Sequence, residues 1–159
     1  MALTGTRDYT VWMNSICPHG LEPVPLVGMA LVLPLAETRV HAGFPSPAED
    51  YLVKRIDLNA ILITHPQATF VFRVAGDSMR EYGIFDGDML LIDRAIKPCH
   101  GHIVVAVVDG EYAVKQLYLR GGRLKLKAGN PTYPDIVPSD GQTIEVWGVA
   151  TSCIKQFQR

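Results

Sequence analysis

The sequence predicts a mainly β protein, and three observations carry that expectation. Six short runs rich in β-branched and aromatic residues follow one another through the C-terminal two-thirds, glycine-containing dipeptides punctuate them, and the composition is that of a folded domain. With 159 residues, 48% apolar and 19% charged, the chain is long enough to bury one core with an appended arm. It lies far from the low-hydrophobicity, high-charge signature of disorder.

The runs are "TFVFRVA" (69–75), "DMLLID" (88–93), "HIVVAVVD" (102–109), "EYAVKQLYL" (111–119), "GRLKLKA" (122–128) and "TIEVWGVAT" (143–151). Asp86-Gly87, Asp109-Gly110, Gly121-Gly122 and Asp140-Gly141 supply turns, the second and third being hairpin signals, so the strands are expected to be antiparallel. Ahead of them, "SPAEDYLVKRIDLNAIL" (46–62) predicts a helix with Ser46 as N-cap, Pro47 at the first helical position and acids in the first turn. "HPQATF" closes that element. "HAGFPSP" (41–47) breaks strands and reads as a linker, and "ALVLPLAETRV" (30–40) reads as one extended arm.

Residues 1–28 show no sustained period and read as a poorly ordered leader, with Met29 a candidate natural start where the composition changes. The apolar run 24–36 ahead of "VHAG" has some of the look of a secretory signal. Against that, Pro25 and Pro34 interrupt it, Arg7 is the one upstream side-chain cation, and a membrane span takes about 20 apolar residues.

Fifteen basic and sixteen acidic side chains leave a net charge of −1, which offers a phosphate backbone no overall attraction. Three widely spaced cysteines, Cys17, Cys99 and Cys153, are not a secreted disulfide framework and suit a reducing cytosol. Cys17 with His19, and Cys99 with His100 and His102, are conceivable zinc ligands. No CxxC pair accompanies them, and they read as turn and strand residues, so no metal or cofactor is expected.

Ser78 carries two readings. Ser78-Met-Arg-Glu81 fits a capping box, in which serine and glutamate satisfy reciprocal amides at a helix start, and on local sequence that reading comes first. As a nucleophile, Ser78 needs a base. "AGDSM" is not the GxSxG elbow and no histidine stands in a serine-hydrolase context, but a lysine kept neutral by apolar surroundings can serve. Lys115 is the candidate. Alternation places it with Ala113, Leu117 and Leu119 on one face, and whether that face or the one with Tyr112, Val114 and Tyr118 is buried stays open. Lys125 and Lys127 alternate as a solvated face.

"FPSPAEDYLVKRIDLNAILITHPQATFVFRVAGDSM", "GIFDGDMLLIDRAI" and "HGHIVVAVVDGEYAVKQLYLR" together resemble the UmuD/MucA branch of the LexA-type Ser-Lys self-cleaving proteins, from about Ala42 to the end. The resemblance implies a LexA/signal-peptidase-like domain of twisted, mostly antiparallel sheets with a short helix and an extended N-terminal arm. Residues 1–42 would be leader and cleavable arm, and 43–159 the peptidase-like domain. It implies Ser78 as nucleophile, Lys115 as general base, and cleavage of the chain's own Ala42-Gly43 bond. Backbone N–H groups of Asp77 and Ser78 are the expected oxyanion donors. It further implies a cytoplasmic homodimer that engages a RecA-single-stranded DNA filament and then a UmuC-like Y-family polymerase, with no sequence-specific DNA binding and no membrane. The rivals are a LexA-like repressor, which requires a helix-turn-helix that residues 1–42 do not suggest, and a signal-peptidase-like enzyme, which requires an anchor.

Overall fold

The computed structural model describes residues 2–4, 10–12, 30–36, 53–139 and 142–157. The strands predicted by alternation are present as β5 (Thr69–Arg73), β6 (Met89–Asp93), β7 (Ile103–Val108), β8 (Glu111–Arg120), β9 (Arg123–Lys127) and β10 (Ile144–Ile154). They follow β1 (Ala2–Thr4), β2 (Thr10–Trp12), β3 (Val32–Ala36), β4 (Val53–Asp57) and a one-turn helix α1 (Leu58–Leu62). The main sheet runs β1-β2-β10-β7-β8-β9, and β6 branches from it by pairing with β10 on one side and β5 on the other. Its pairings are antiparallel apart from β2, which meets β10 in parallel at Trp12 and Glu145.

β7 explains why "IVVAVV" is continuously apolar. Successive strand residues face opposite sides, so Val104 and Ala106 enter a cluster with Leu117, Leu126, Ile144, Val146 and Val149. Val105 enters another, with Phe70, Val74, Met79, Ile84, Leu90, Ile92 and Trp147. A strand buried on both faces cannot alternate. In the second cluster the rings of Phe70 and Phe72 meet Trp147 edge-on at centroid distances of 5.0 and 4.9 Å.

Besides its contact with β2, β10 pairs with β7 through residues 144–149 and with β6 through 149–154, and register shifts at Val146/Gly148 and Ala150/Ser152 accompany the change. Such bulges bend a strand and increase its twist. Gly148 sits at the first of them because the neighbouring strand leaves no room: a Cβ there would lie 2.6 Å from Ile92 Cγ2. The hairpins β7–β8 and β8–β9 turn on Asp109-Gly110 (φ 51° and 91°) and Gly121-Gly122 (φ 56° and 69°), the two positive φ values that a twist-compatible two-residue hairpin demands.

Three expectations need correction. The helix foreseen from Ser46 is absent over 53–57, which form β4 against β3 in the register Val32–Asp57 to Ala36–Val53; Ser46 and Pro47 lie outside the described residues. The local capping signal is outweighed where an adjacent strand offers the backbone a partner, and the true cap is Asp57, whose Oδ1 accepts the Asn59 N–H at 3.0 Å. The leader, read as poorly ordered, contributes β1 and β2 to the main sheet. His100 and His102 fall in the turn before β7 rather than on a strand, and there His102 Nε2 lies 3.1 Å from Cys99 Sγ. Cys17 and His19 lie outside the described residues.

Gly148→Ala is expected to destabilise the protein by about 1–3 kcal/mol through overpacking against Ile92. A lower midpoint of chemical denaturation with an unchanged slope checks it.

Candidate active site

Ser78 stands on the connection between β5 and β6. Gly76, at φ 84°, turns the chain and donates its N–H to Asp86 Oδ1 at 2.7 Å. Val74 N–H donates to the Asp88 carbonyl at 2.8 Å, and Gly87 N–H to the Val74 carbonyl at 2.9 Å. Asp86 and Asp88 therefore shape the turn's neighbouring loop. Lys155 pairs with Asp88 and, as its strongest partner, holds that carboxyl below the usual range. Directly after the serine, Met79 is 2% exposed within the second cluster, so its burial anchors the turn to the core.

The capping-box geometry does not form. A short 3₁₀ turn spans Arg80–Tyr82 and Met79, at its cap, makes no side-chain capping bond. The Glu81 N–H that a capping serine would accept donates instead to the Gly129 carbonyl at 2.8 Å. Ser78 Oγ lies 2.8 Å from Lys115 Nζ.

Lys115 comes from β8, opposite Val104 in the β7 register and two residues before Leu117, both fully buried. The face shared with Leu117 is thus the buried one, and the lysine is 8% exposed. Besides Ser78 Oγ, its Nζ is near the Val114 carbonyl at 3.1 Å. Among the described residues its amine pairs with no carboxylate. Burial alone pushes its pKa below that of a free lysine, because loss of water disfavours the ammonium form. An amine closer to neutrality beside a hydroxyl is what proton abstraction from serine requires.

A cleft of about 370 Å³ includes Ser78 and Lys115 and is lined by Phe72, Val74, Val105 and Val114 among others. β9 pairs with β8 from Gln116 to Arg120 and stops short of Lys115, beside this cleft. A larger cavity of about 410 Å³, between Tyr118, Arg123, Lys125 and Val137, contains neither member of the pair.

Sequence reasoning missed the segment that supports the serine from behind. Gly129 N–H donates to the Ser78 carbonyl at 2.7 Å, and Asn130 Nδ2 donates to the Asp77 carbonyl at 3.0 Å. Tyr82 covers Gly129 so closely that a Cβ would lie 2.2 Å from its Cδ2, and its hydroxyl donates to Gln116 Oε1 at 2.8 Å, next to Lys115. The available signal was Asn130-Pro131, a turn-marking dipeptide.

Residues 34–151 match the peptidase S24-like family. The chain is 46% identical to protein SamA of Salmonella typhimurium over 76% of its own length and 84% of SamA's. It is 41% identical to protein MucA of Escherichia coli over 75% and 82% of the two lengths. Against the LexA repressor of Cupriavidus necator the identity is 36%, over 83% of this chain and 60% of the repressor. The chain belongs to the peptidase S24-like family. Within it, the UmuD-like relatives make this a self-cleaving serine peptidase of SOS mutagenesis, with the mainly antiparallel β fold expected of such proteins. Among the described residues no helix is long and apolar enough to cross a membrane.

Burial of Lys115 carries a stability consequence whose sign is fixed. Its pKa is lower folded than unfolded, so the unfolded state binds more protons and folding is penalised at neutral pH; the penalty fades as pH rises past the folded and then the unfolded value. Lys115→Met is accordingly expected to raise the denaturation midpoint at pH 7. That gain should shrink steadily toward pH 10.5 and beyond when both proteins are unfolded across the range.

Proposed function

We propose that Ser78 and Lys115 form the Ser-Lys dyad and that the bond they cut is Ala42-Gly43 of this chain, within residues that lie outside the described ones. The observation that carries the reading is the 2.8 Å approach of a desolvated lysine amine, paired with no carboxylate among the described residues, to the serine hydroxyl. Neutral Lys115 takes the Ser78 proton as Oγ attacks the Ala42 carbonyl carbon. The tetrahedral intermediate collapses with breakage of the Ala42–Gly43 C–N bond, and the Lys115 proton passes to the Gly43 nitrogen. Water, deprotonated by the same amine, then hydrolyses the acyl-enzyme and frees the arm. Backbone N–H groups at Asp77 and Ser78 meet the developing oxyanion. An extended Phe44-Pro45-Ser46-Pro47 segment suits addition as a strand along β8 ahead of Gln116, where β9 no longer reaches.

The setting of this reaction is a cytoplasmic homodimer. A RecA-single-stranded DNA filament favours the productive conformation, and the shortened dimer then serves a UmuC-like Y-family polymerase in error-prone translesion synthesis. Membership of the UmuD-like group supports this assignment.

Incubation of the purified protein with a RecA-single-stranded DNA filament is expected to produce a fragment beginning at Gly43. Ser78→Ala and Lys115→Ala proteins should fold and stay full length under the same conditions. Cleavage of the parent should accelerate from pH 7 toward pH 10 as Lys115 loses its proton. A new amino terminus elsewhere, or continued cutting by Ser78→Ala, would overturn the assignment.

A further inference from the structure

The peptide that joins Asp77 to Ser78 is gripped on one side by a side chain that no step of the reaction uses. Asn130 is 8% exposed, and its Oδ1 accepts both the Thr132 N–H at 3.1 Å and the Thr132 hydroxyl at 2.9 Å. Two donors on Oδ1 settle the orientation of the amide and leave Nδ2 to donate to the Asp77 carbonyl at 3.0 Å. In a trans peptide the carbonyl and the following N–H point in opposite directions, so a carbonyl tied to Asn130 directs the Ser78 N–H away from the 129–132 segment. That N–H has no acceptor among the described residues, and Ser78 lines the cleft. A hydrogen bond accepted by a peptide carbonyl also polarises the N–H of the same peptide. The Gly129 N–H bond to the Ser78 carbonyl, at 2.7 Å, holds the next peptide from the same side.

We infer that Asn130 is a positioning residue for the oxyanion site: through the Asp77 carbonyl it fixes and polarises the Asp77–Ser78 peptide so that the Ser78 N–H is aimed at the scissile carbonyl oxygen. The inference rests on Ser78 as the nucleophile and adds what holds its amide. Asn130 touches neither the lysine nor the serine hydroxyl through any hydrogen bond. Its loss therefore weakens oxyanion stabilisation while leaving the protonation of Lys115 where it was. A residue that merely kept the dyad folded would act differently, because a loosened site admits water to Lys115 and moves the pH dependence upward.

The test is the first-order rate constant for self-cleavage of full-length protein between pH 7 and pH 10, with Ser78→Ala as control. Asn130→Ala is expected to slow cleavage about thirtyfold, less than outright loss of an oxyanion donor, with an unshifted pH profile. Thr132→Val, which removes one of the two donors on Oδ1 and so loosens the amide while keeping the Thr132 N–H bond and Nδ2, should slow it severalfold, again without a shift. Should Asn130→Ala prove unfolded by circular dichroism, Thr132→Val decides the matter by the same two readouts. A rate within twofold of the parent, or a fall accompanied by a profile displaced to higher pH, overturns the role of Asn130 and leaves the dyad standing. Cleavage that survives in Ser78→Ala removes the dyad and this role together.

Discussion

Removing the Lys115 amine from water without giving it a carboxylate among the described residues is the constraint on which the rest of the site depends. An ammonium in that position is unfavourable, and a paired one would be held charged and useless as a base. The fold meets the requirement by seating the lysine opposite Val104 and near Leu117, at the margin of one buried cluster, where among the described residues only a backbone carbonyl and Ser78 Oγ lie within hydrogen-bonding distance. Loss of solvation thereby raises the share of the amine that is neutral and able to take a proton, at the expense of stability. The two clusters either side of β7, with the rings of Phe70 and Phe72 packed about Trp147, supply the burial against which that expense is set.

The serine depends on the same core by another route. Met79 fills the cluster built around Trp147, so the residue that follows the hydroxyl is fixed by packing, while Gly76 and the Asp86 and Asp88 loop set the preceding bend. The lysine thus belongs to a strand, β8, and the serine to the connection between β5 and β6. They are brought into register by the Tyr82–Gln116 hydrogen bond and by the Gly129 and Asn130 contacts as much as by the sheet itself. Reactive geometry here tolerates little displacement, since proton transfer requires the two heavy atoms within about 3 Å.

How much of this was legible in the sequence follows from the range of the interactions. Six strands and two hairpins could be read because period-2 alternation and Asp-Gly or Gly-Gly turns are local. β4 was misread because its neighbour β3 lies some twenty residues earlier, and no local pattern in "SPAEDYLVKRID" announces that pairing. Ser78 was ambiguous for a physical reason: Ser-x-x-Glu describes a cap whenever the glutamate amide is free, and here Gly129 takes it. Which face of β8 is buried turned on Val104 and Leu117, visible once β7 is paired with it. Asn130 was beyond reach, since its partner Asp77 is 53 residues away and an Asn-Pro dipeptide signals a turn, not what the turn supports.

A peptidase whose substrate is its own chain works under an unusual selection of physical effects. Where a domain cuts the arm joined to it, tethering supplies the effective concentration that ordinary enzymes obtain by binding, and a single cut makes product release irrelevant to the rate. Under the proposed Ser78–Lys115 mechanism, what remains to govern cleavage is the alignment of hydroxyl, amine and oxyanion donor, and the fraction of Lys115 that is neutral. Both quantities are set by groups behind the reacting atoms: apolar side chains desolvate the amine, and the 129–132 segment holds the serine peptides. A trigger that acts from outside needs no new catalytic group. In the proposed reaction it needs only to favour a conformation that brings the scissile bond to Ser78 with those supports engaged, and the change in rate can be no larger than its preference for that conformation over the latent one.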